Sequence, residues 1–84
     1  MPKDFQLKLR CKRNEDDGTY NGGIYIDGQQ DADPDLMMYR VDCEGMQELW
    51  RRASNKYNKN PQVVGDCVVC FPESFFENET LYPD

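Results

Sequence analysis

The sequence predicts an α+β domain over residues 1–84: a small antiparallel sheet of three to four strands packed against one amphipathic helix, in the order β-β-β-α-β. Three observations predict it. Residues 5–13, FQLKLRCKR, alternate apolar and polar without a break. Residues 42–60, DCEGMQELWRRASNKYNKN, repeat apolar positions at three- and four-residue steps. Residues 63–71, VVGDCVVCF, form a run rich in β-branched side chains between Pro61 and Pro72.

In the first segment Phe5, Leu7, Leu9 and Cys11 share one side, and Gln6, Lys8, Arg10 and Lys12 the other, which predicts a half-buried strand with a basic outer face. NEDDG at 14–18 favours a turn, so a hairpin leads into TYNGGIYID. Within that strand Asn21–Gly23 reads either as a bulge or as the hairpin turn itself. After the acidic loop QQDADPD, LMMYRV predicts a third strand with Met37, Tyr39 and Val41 on one face.

The helix follows from Asp42, a suitable N-cap, and from Met46, Leu49, Trp50, Ala53 and Tyr57 along one face. Glu44 complements the positive start of its dipole, Lys56 and Lys59 complement its end, and Asn60 and Pro61 are expected to close it. The fourth strand then places Cys67, Val69 and Phe71 on one face and Val64, Val68 and Cys70 on the other, so both faces need cover, as in a central strand. One helix covers one face. The tail ESFFENETLYPD, with Phe75, Phe76, Leu81 and Tyr82, is expected to fold over the second; a homodimer or a partner protein is the other means of covering it.

No apolar run approaches the roughly 20 residues of a membrane span, and MPKDFQLKLRCKR lacks the apolar region of a signal peptide. A cytoplasmic setting is therefore expected, with Cys11, Cys43, Cys67 and Cys70 reduced. NET at 78–80 fits a glycosylation sequon and is read as chance in that setting. The pair Cys67 and Cys70 has the spacing of a metal or redox motif. A strand, however, sends residues three apart to opposite faces, and the intervening valines are poor turn formers, so the cysteines are read as buried structural residues. A zinc module using all four cysteines is the alternative. Asp31, Asp33 and Asp35, with Asp42 as a twelfth ligand, echo a calcium loop, but Leu36 stands where its tight turn wants glycine.

No histidine is present to serve a nucleophile, no glycine pattern cradles phosphate, and the carboxylates fall in polar loops that do not raise a pKa toward neutrality. No catalysis and no cofactor are expected. Charge is the sharper feature. Sixteen acidic residues against ten basic give a net charge of −6, and the acids fall in blocks, 14–39 and 60–84, that hold no basic residue. The cations Lys8, Arg10 and Lys12, with Arg51, Arg52, Lys56 and Lys59, read as a solvated balancing face.

These features lead to the expectation of a non-catalytic protein–protein interaction module that meets a basic protein, such as a nucleic-acid-binding complex, without direct nucleic-acid or membrane binding. Its sharpest form is a small acidic inhibitor occupying a basic nucleic-acid-binding groove, the device of phage-encoded anti-CRISPR and anti-restriction proteins; this is an analogy of size and charge. The expected contact residues are Asp16, Asp17, Asp31, Asp33, Asp35, Glu77 and Glu79, with Phe75, Phe76 and Tyr82 as apolar anchors. A structural or assembly subunit is a further alternative.

Overall fold

The computed structural model describes residues 5–83, so Lys3 and Asp84 of the charge blocks lie outside the described residues. Alternation makes β1 (Leu7–Arg13) the spine of the sheet. It pairs antiparallel with β2 (Tyr20–Ile26), from Leu7 opposite Ile26 to Arg13 opposite Tyr20. β2 pairs antiparallel with β3 (Met37–Val41), and β1 pairs parallel with β4 (Gln62–Gly65), giving the order β3-β2-β1-β4. The α+β class and the order β-β-β-α-β stand as expected, but the sheet is mixed. The crossover through α1 (Cys43–Tyr57) returns the chain to the other edge of β1 in the same direction, which makes that pairing parallel.

Asp42 caps α1, its carboxylate accepting from the Gly45 amide at 3.0 Å. The helix ends at Asn58 in the left-handed conformation, two residues before the expected stop at Asn60 and Pro61. Its inner face, Met46, Leu49, Trp50 and Ala53, packs on Leu7, Leu9 and Ile24 of the sheet, and all seven are nearly inaccessible to solvent.

The hairpin turn falls at residues 14–19, so Asn21–Gly23 is strand, and the irregularity lies between Tyr20 and Gly22 on the β3 side. Opposite it Arg40 adopts φ +53°, and its amide donates to Asn21 Oδ1 at 2.8 Å. This kink separates Val41 from Met37 and Tyr39: Val41 packs against the core, whereas Met37 and Tyr39 face solvent.

VVGDCVVCF is a strand only as far as Gly65. A 3-10 helix, Asp66–Cys70, follows. In a 3-10 helix residues three apart eclipse one another, so Cys67 and Cys70 both turn inward while Val68 and Val69 are left 53% and 75% exposed. The expectation that the two cysteines take opposite faces is thereby overturned. The tail does not cover the second face of the sheet either. Its helix α2 (Glu73–Phe76) docks beside α1, with the Phe75 ring 5.3 Å and the Phe76 ring 5.5 Å from that of Trp50, both edge-on.

Candidate binding surface

Because α1 and the tail lie on the same side, the other face of the sheet carries no helix among the described residues, and Ala32 of the β2–β3 loop lies beside Gly23 on it. Lys8, Arg10 and Lys12 of β1 point there, each in register with the position beside it on β2. β2 adds Asn21 and Tyr25, β3 adds Met37 and Tyr39, and β4 adds Val64 opposite Arg10. Tyr39 is 64% exposed, Met37 40% and Val64 39%. The Arg10 guanidinium lies 5.2 Å from the centre of the Tyr25 ring. Between them a shallow groove of about 280 Å3 is floored by Gly22 and Gly23 and walled by Arg10, Lys12, Asn21, Tyr25, Met37 and Tyr39, and no carboxylate lines it.

The acidic residues expected to make contact do not converge on one surface. Asp16 and Asp17 lie in the β1–β2 turn, whereas Asp31, Asp33 and Asp35 lie in the β2–β3 loop. That loop returns beside β2, so that the Asp33 amide donates to the Ile24 carbonyl at 2.8 Å, four residues or about 13 Å along β2 from Tyr20. Most are already partnered. Arg40 Nη1 lies 3.1 Å from Asp16 and 2.9 Å from Asp17, and Arg51 Nε lies 2.8 Å from Glu79. Lys56 Nζ lies 2.5 Å from Asp33 and 3.8 Å from Asp35. Asp31 and Glu77 remain exposed, with no hydrogen bond or ion pair among the described residues. Of the apolar anchors, Phe75 is buried, Phe76 partly so, and the Tyr82 amide donates to Asn60 Oδ1 at 2.6 Å.

For Asp33 and Asp17 these partners favour the charged form. The Lys56 ammonium, with the Tyr57 hydroxyl and the Asp35 amide, brings Asp33 from the usual carboxylate range to about 2. The Thr19 hydroxyl and amide, then Arg40, lower Asp17. On the basic side, hydrogen bonds to Asp16 and Asp17 raise Arg40, one to Glu79 raises Arg51, and one to Asp33 raises Lys56. Arg51 and Lys56 of the helix thus serve intramolecular pairs on the covered side of the sheet, whereas Lys8 and Lys12 have no ion pair among the described residues. The seven expected cations are therefore two sets on two sides, not one stripe.

The four cysteines form two disulfides, Cys11–Cys67 and Cys43–Cys70, with Cα atoms 5.9 and 5.0 Å apart. The expectation of reduced thiols is corrected accordingly. The 3-10 turn hidden in VVGDCVVCF brings Cys67 to the end of β1 and Cys70 to the start of α1. Paired in this way the sulfurs offer no thiolate set, and among the described residues no group of three or more His, Cys, Asp or Glu is arranged to hold a metal ion. Asp33, spent on Lys56 and Tyr57, does not serve a calcium loop.

No family model, curated protein or solved structure matches the chain. Among the described residues no helix is long and apolar enough to cross a membrane.

The sequence reading missed Tyr25, Met37, Tyr39 and Val64 as a contact surface. Half of the signal was present, since alternation already turned Lys8, Arg10 and Lys12 outward. The other half depended on the kink at Arg40 and on the tail's docking side, and neither leaves a periodic trace in the sequence.

Proposed function

We propose that this chain is a non-catalytic binding module that meets a macromolecular partner on the open face of its sheet. The observation that carries this reading is the open four-stranded face itself, where exposed aromatic and apolar side chains stand among three cations and no carboxylate lines the groove. Asp33 and Asp17, whose pKa values are lowered by internal partners, suit ion pairing rather than proton transfer, which supports a binding role over a catalytic one at those positions. The paired cysteines favour a setting where thiols oxidise, a departure from the reducing cytoplasm expected from the sequence.

A second reading keeps the carboxylates as the contact: an acidic inhibitor, of the anti-CRISPR or anti-restriction kind, that occupies a basic groove of a nucleic-acid-binding protein. The net charge of −6 and the unpaired, exposed Asp31 and Glu77 favour it. One experiment separates the two. Affinity capture from lysate at low and high salt compares the native chain with an Arg10→Glu/Tyr39→Ala variant and an Asp31→Lys/Glu77→Lys variant, each first shown to melt like the native chain. Loss of the partner on changing the sheet face supports the first reading, and loss on changing the loops supports the second. A partner retained by both variants overturns both readings.

A further inference from the structure

We infer that the occupant of the open face is a single-stranded nucleic acid, its bases stacked on Tyr25 and Tyr39 and its phosphates tracked by Lys8, Arg10 and Lys12; the inference rests on the open face being the binding surface. Three features carry it. First, the cations occupy alternate residues of one strand, so they form a straight row at about 7 Å intervals, matched to a polymer with a regular charge repeat rather than to a single acidic side chain. Second, the floor of Gly22 and Gly23 leaves a groove of about 280 Å3 between Tyr25, Met37 and Tyr39, room for a planar group to lie against a ring. Sheets that bind unpaired bases use aromatic residues on an open face in this manner, because every base offers a π-face.

Third, the net charge of −6 does not decide the local field. The β1–β2 turn begins at Asn14, four residues along β1 from Arg10, or about 13 Å. That exceeds the screening length of about 8 Å at physiological ionic strength. The β2–β3 loop returns beside β2, with the Asp33 amide donating to the Ile24 carbonyl and Ala32 beside Gly23, but the Asp33 carboxylate is held by Lys56 and Tyr57, and that of Asp66 accepts from the Arg13 amide. Several of those carboxylates are also neutralised by Arg40 and Lys56. The charged residues that line the groove are Arg10 and Lys12, with Lys8 next in the same row. A summed charge hides this separation, and for that reason the sequence alone pointed away from nucleic acid.

The other occupants fit less well. A second copy stacked face to face sets the three cations of one chain against the same three of the other, an unfavourable juxtaposition. A duplex keeps its bases stacked on one another and presents only their edges, which a flat sheet with exposed rings does not read. An acidic peptide satisfies the cations without using the rings.

The test is fluorescence anisotropy with a labelled eight-nucleotide oligouridylate or oligothymidylate, titrated with the intact oxidised protein between 50 and 200 mM salt. Binding is expected to fall with salt with a logarithmic slope of about −2, the value for three phosphate contacts on a single strand. Tyr25→Ala and Tyr39→Ala should each weaken it by roughly 5- to 150-fold, and Tyr39→Phe, which keeps the ring, should restore most of the loss. Lys8→Glu/Arg10→Glu/Lys12→Glu should abolish it, whereas Arg52→Glu on the outer side of α1 should not. Amide chemical shifts with a poly-glutamate peptide complete the design. If the oligonucleotides fail to bind at 50 mM salt while the peptide shifts β1 to β3, the nucleic-acid inference falls and the open face stands as a protein-binding surface. Oligonucleotide binding that survives all the face variants overturns both, as does a face that neither ligand perturbs.

Discussion

Asp33 accepts a hydrogen bond from the Tyr57 hydroxyl at 2.5 Å, joining the β2–β3 loop to the end of α1. Lys56 bonds the same oxygen, and together they hold the carboxyl at about 2 against an ordinary value of 3.8. A folded-state pKa below the unfolded one contributes stability that is complete above about pH 4 and is lost as pH falls toward 2. The shift sets a ceiling of about 2 kcal/mol, and solvent around the half-exposed Lys56 lowers it. Asp33→Asn is therefore expected to cost roughly 1 to 2 kcal/mol at pH 7 in urea unfolding and to flatten the stability profile between pH 4 and 2. Equal profiles for variant and native chain would remove this role. Asp33 is also a poor position for testing binding by charge reversal, because reversal would break the fold's own contact.

The disulfides make a second prediction. Cys11–Cys67 and Cys43–Cys70 close chain segments with sequence separations of 56 and 27 residues, for which loop-closure entropy gives about 4 kcal/mol each as an upper figure. The segments overlap, so the two contributions are not additive. Protein purified without reductant should show no reactive thiol in denaturant. Reduction, or the pair Cys43→Ala/Cys70→Ala, should lower the melting temperature by more than about 10 °C. Four reactive thiols in unreduced protein, with a melting point indifferent to reductant, would contradict the pairing.

How far the fold was legible follows from the range of the forces involved. β1 and α1 were readable because a period of two or of 3.6 is set by burial along a single element, as Leu7 and Leu9, or Leu49 and Ala53, show. The 3-10 helix was not. Its valines carry a strong strand propensity, and only the tertiary bonds from Cys67 and Cys70 to distant cysteines overrule it. The acidic residues were misjudged as a surface for a similar reason. Sequence gives their number, but their partners Arg40, Arg51 and Lys56 come from elements 23 to 28 residues away.

The tail is expected to behave as part of the core on the helix side. Phe75 is buried, edge-on to both Trp50 and Phe71, and the Trp50 indole donates to the Pro61 carbonyl at 2.9 Å beneath it. Phe75→Ala should cost about 3 kcal/mol, the low end for a buried ring, and shift the Trp50 emission to the red. Amide shifts of Tyr25 and Tyr39 on the open face should be unchanged. Movement of those shifts, with unchanged tryptophan emission, would mean that the tail covers the sheet after all.

Gly65 ends β4 at φ +106°, and a Cβ placed there would strike the Cys11 carbonyl oxygen, a backbone atom that cannot swing aside. Gly28 supplies the comparison: its φ of +88° is as unfavourable for alanine, yet nothing lies within 4 Å of an added Cβ. Gly28→Ala should thus report left-handed strain alone, on the order of 1 kcal/mol. Gly65→Ala adds the collision and should cost more than about 2 kcal/mol. Relief of that collision must move β4 off the end of β1, and Cys67 moves with it. Oxidative refolding of Gly65→Ala should then leave Cys11 and Cys67 open to alkylation while Cys43–Cys70 still forms, a pattern that mass spectrometry resolves directly. Equal stability losses for the two variants, with both disulfides intact, would show that β4 tolerates the added carbon and that the turn does not depend on glycine at this position.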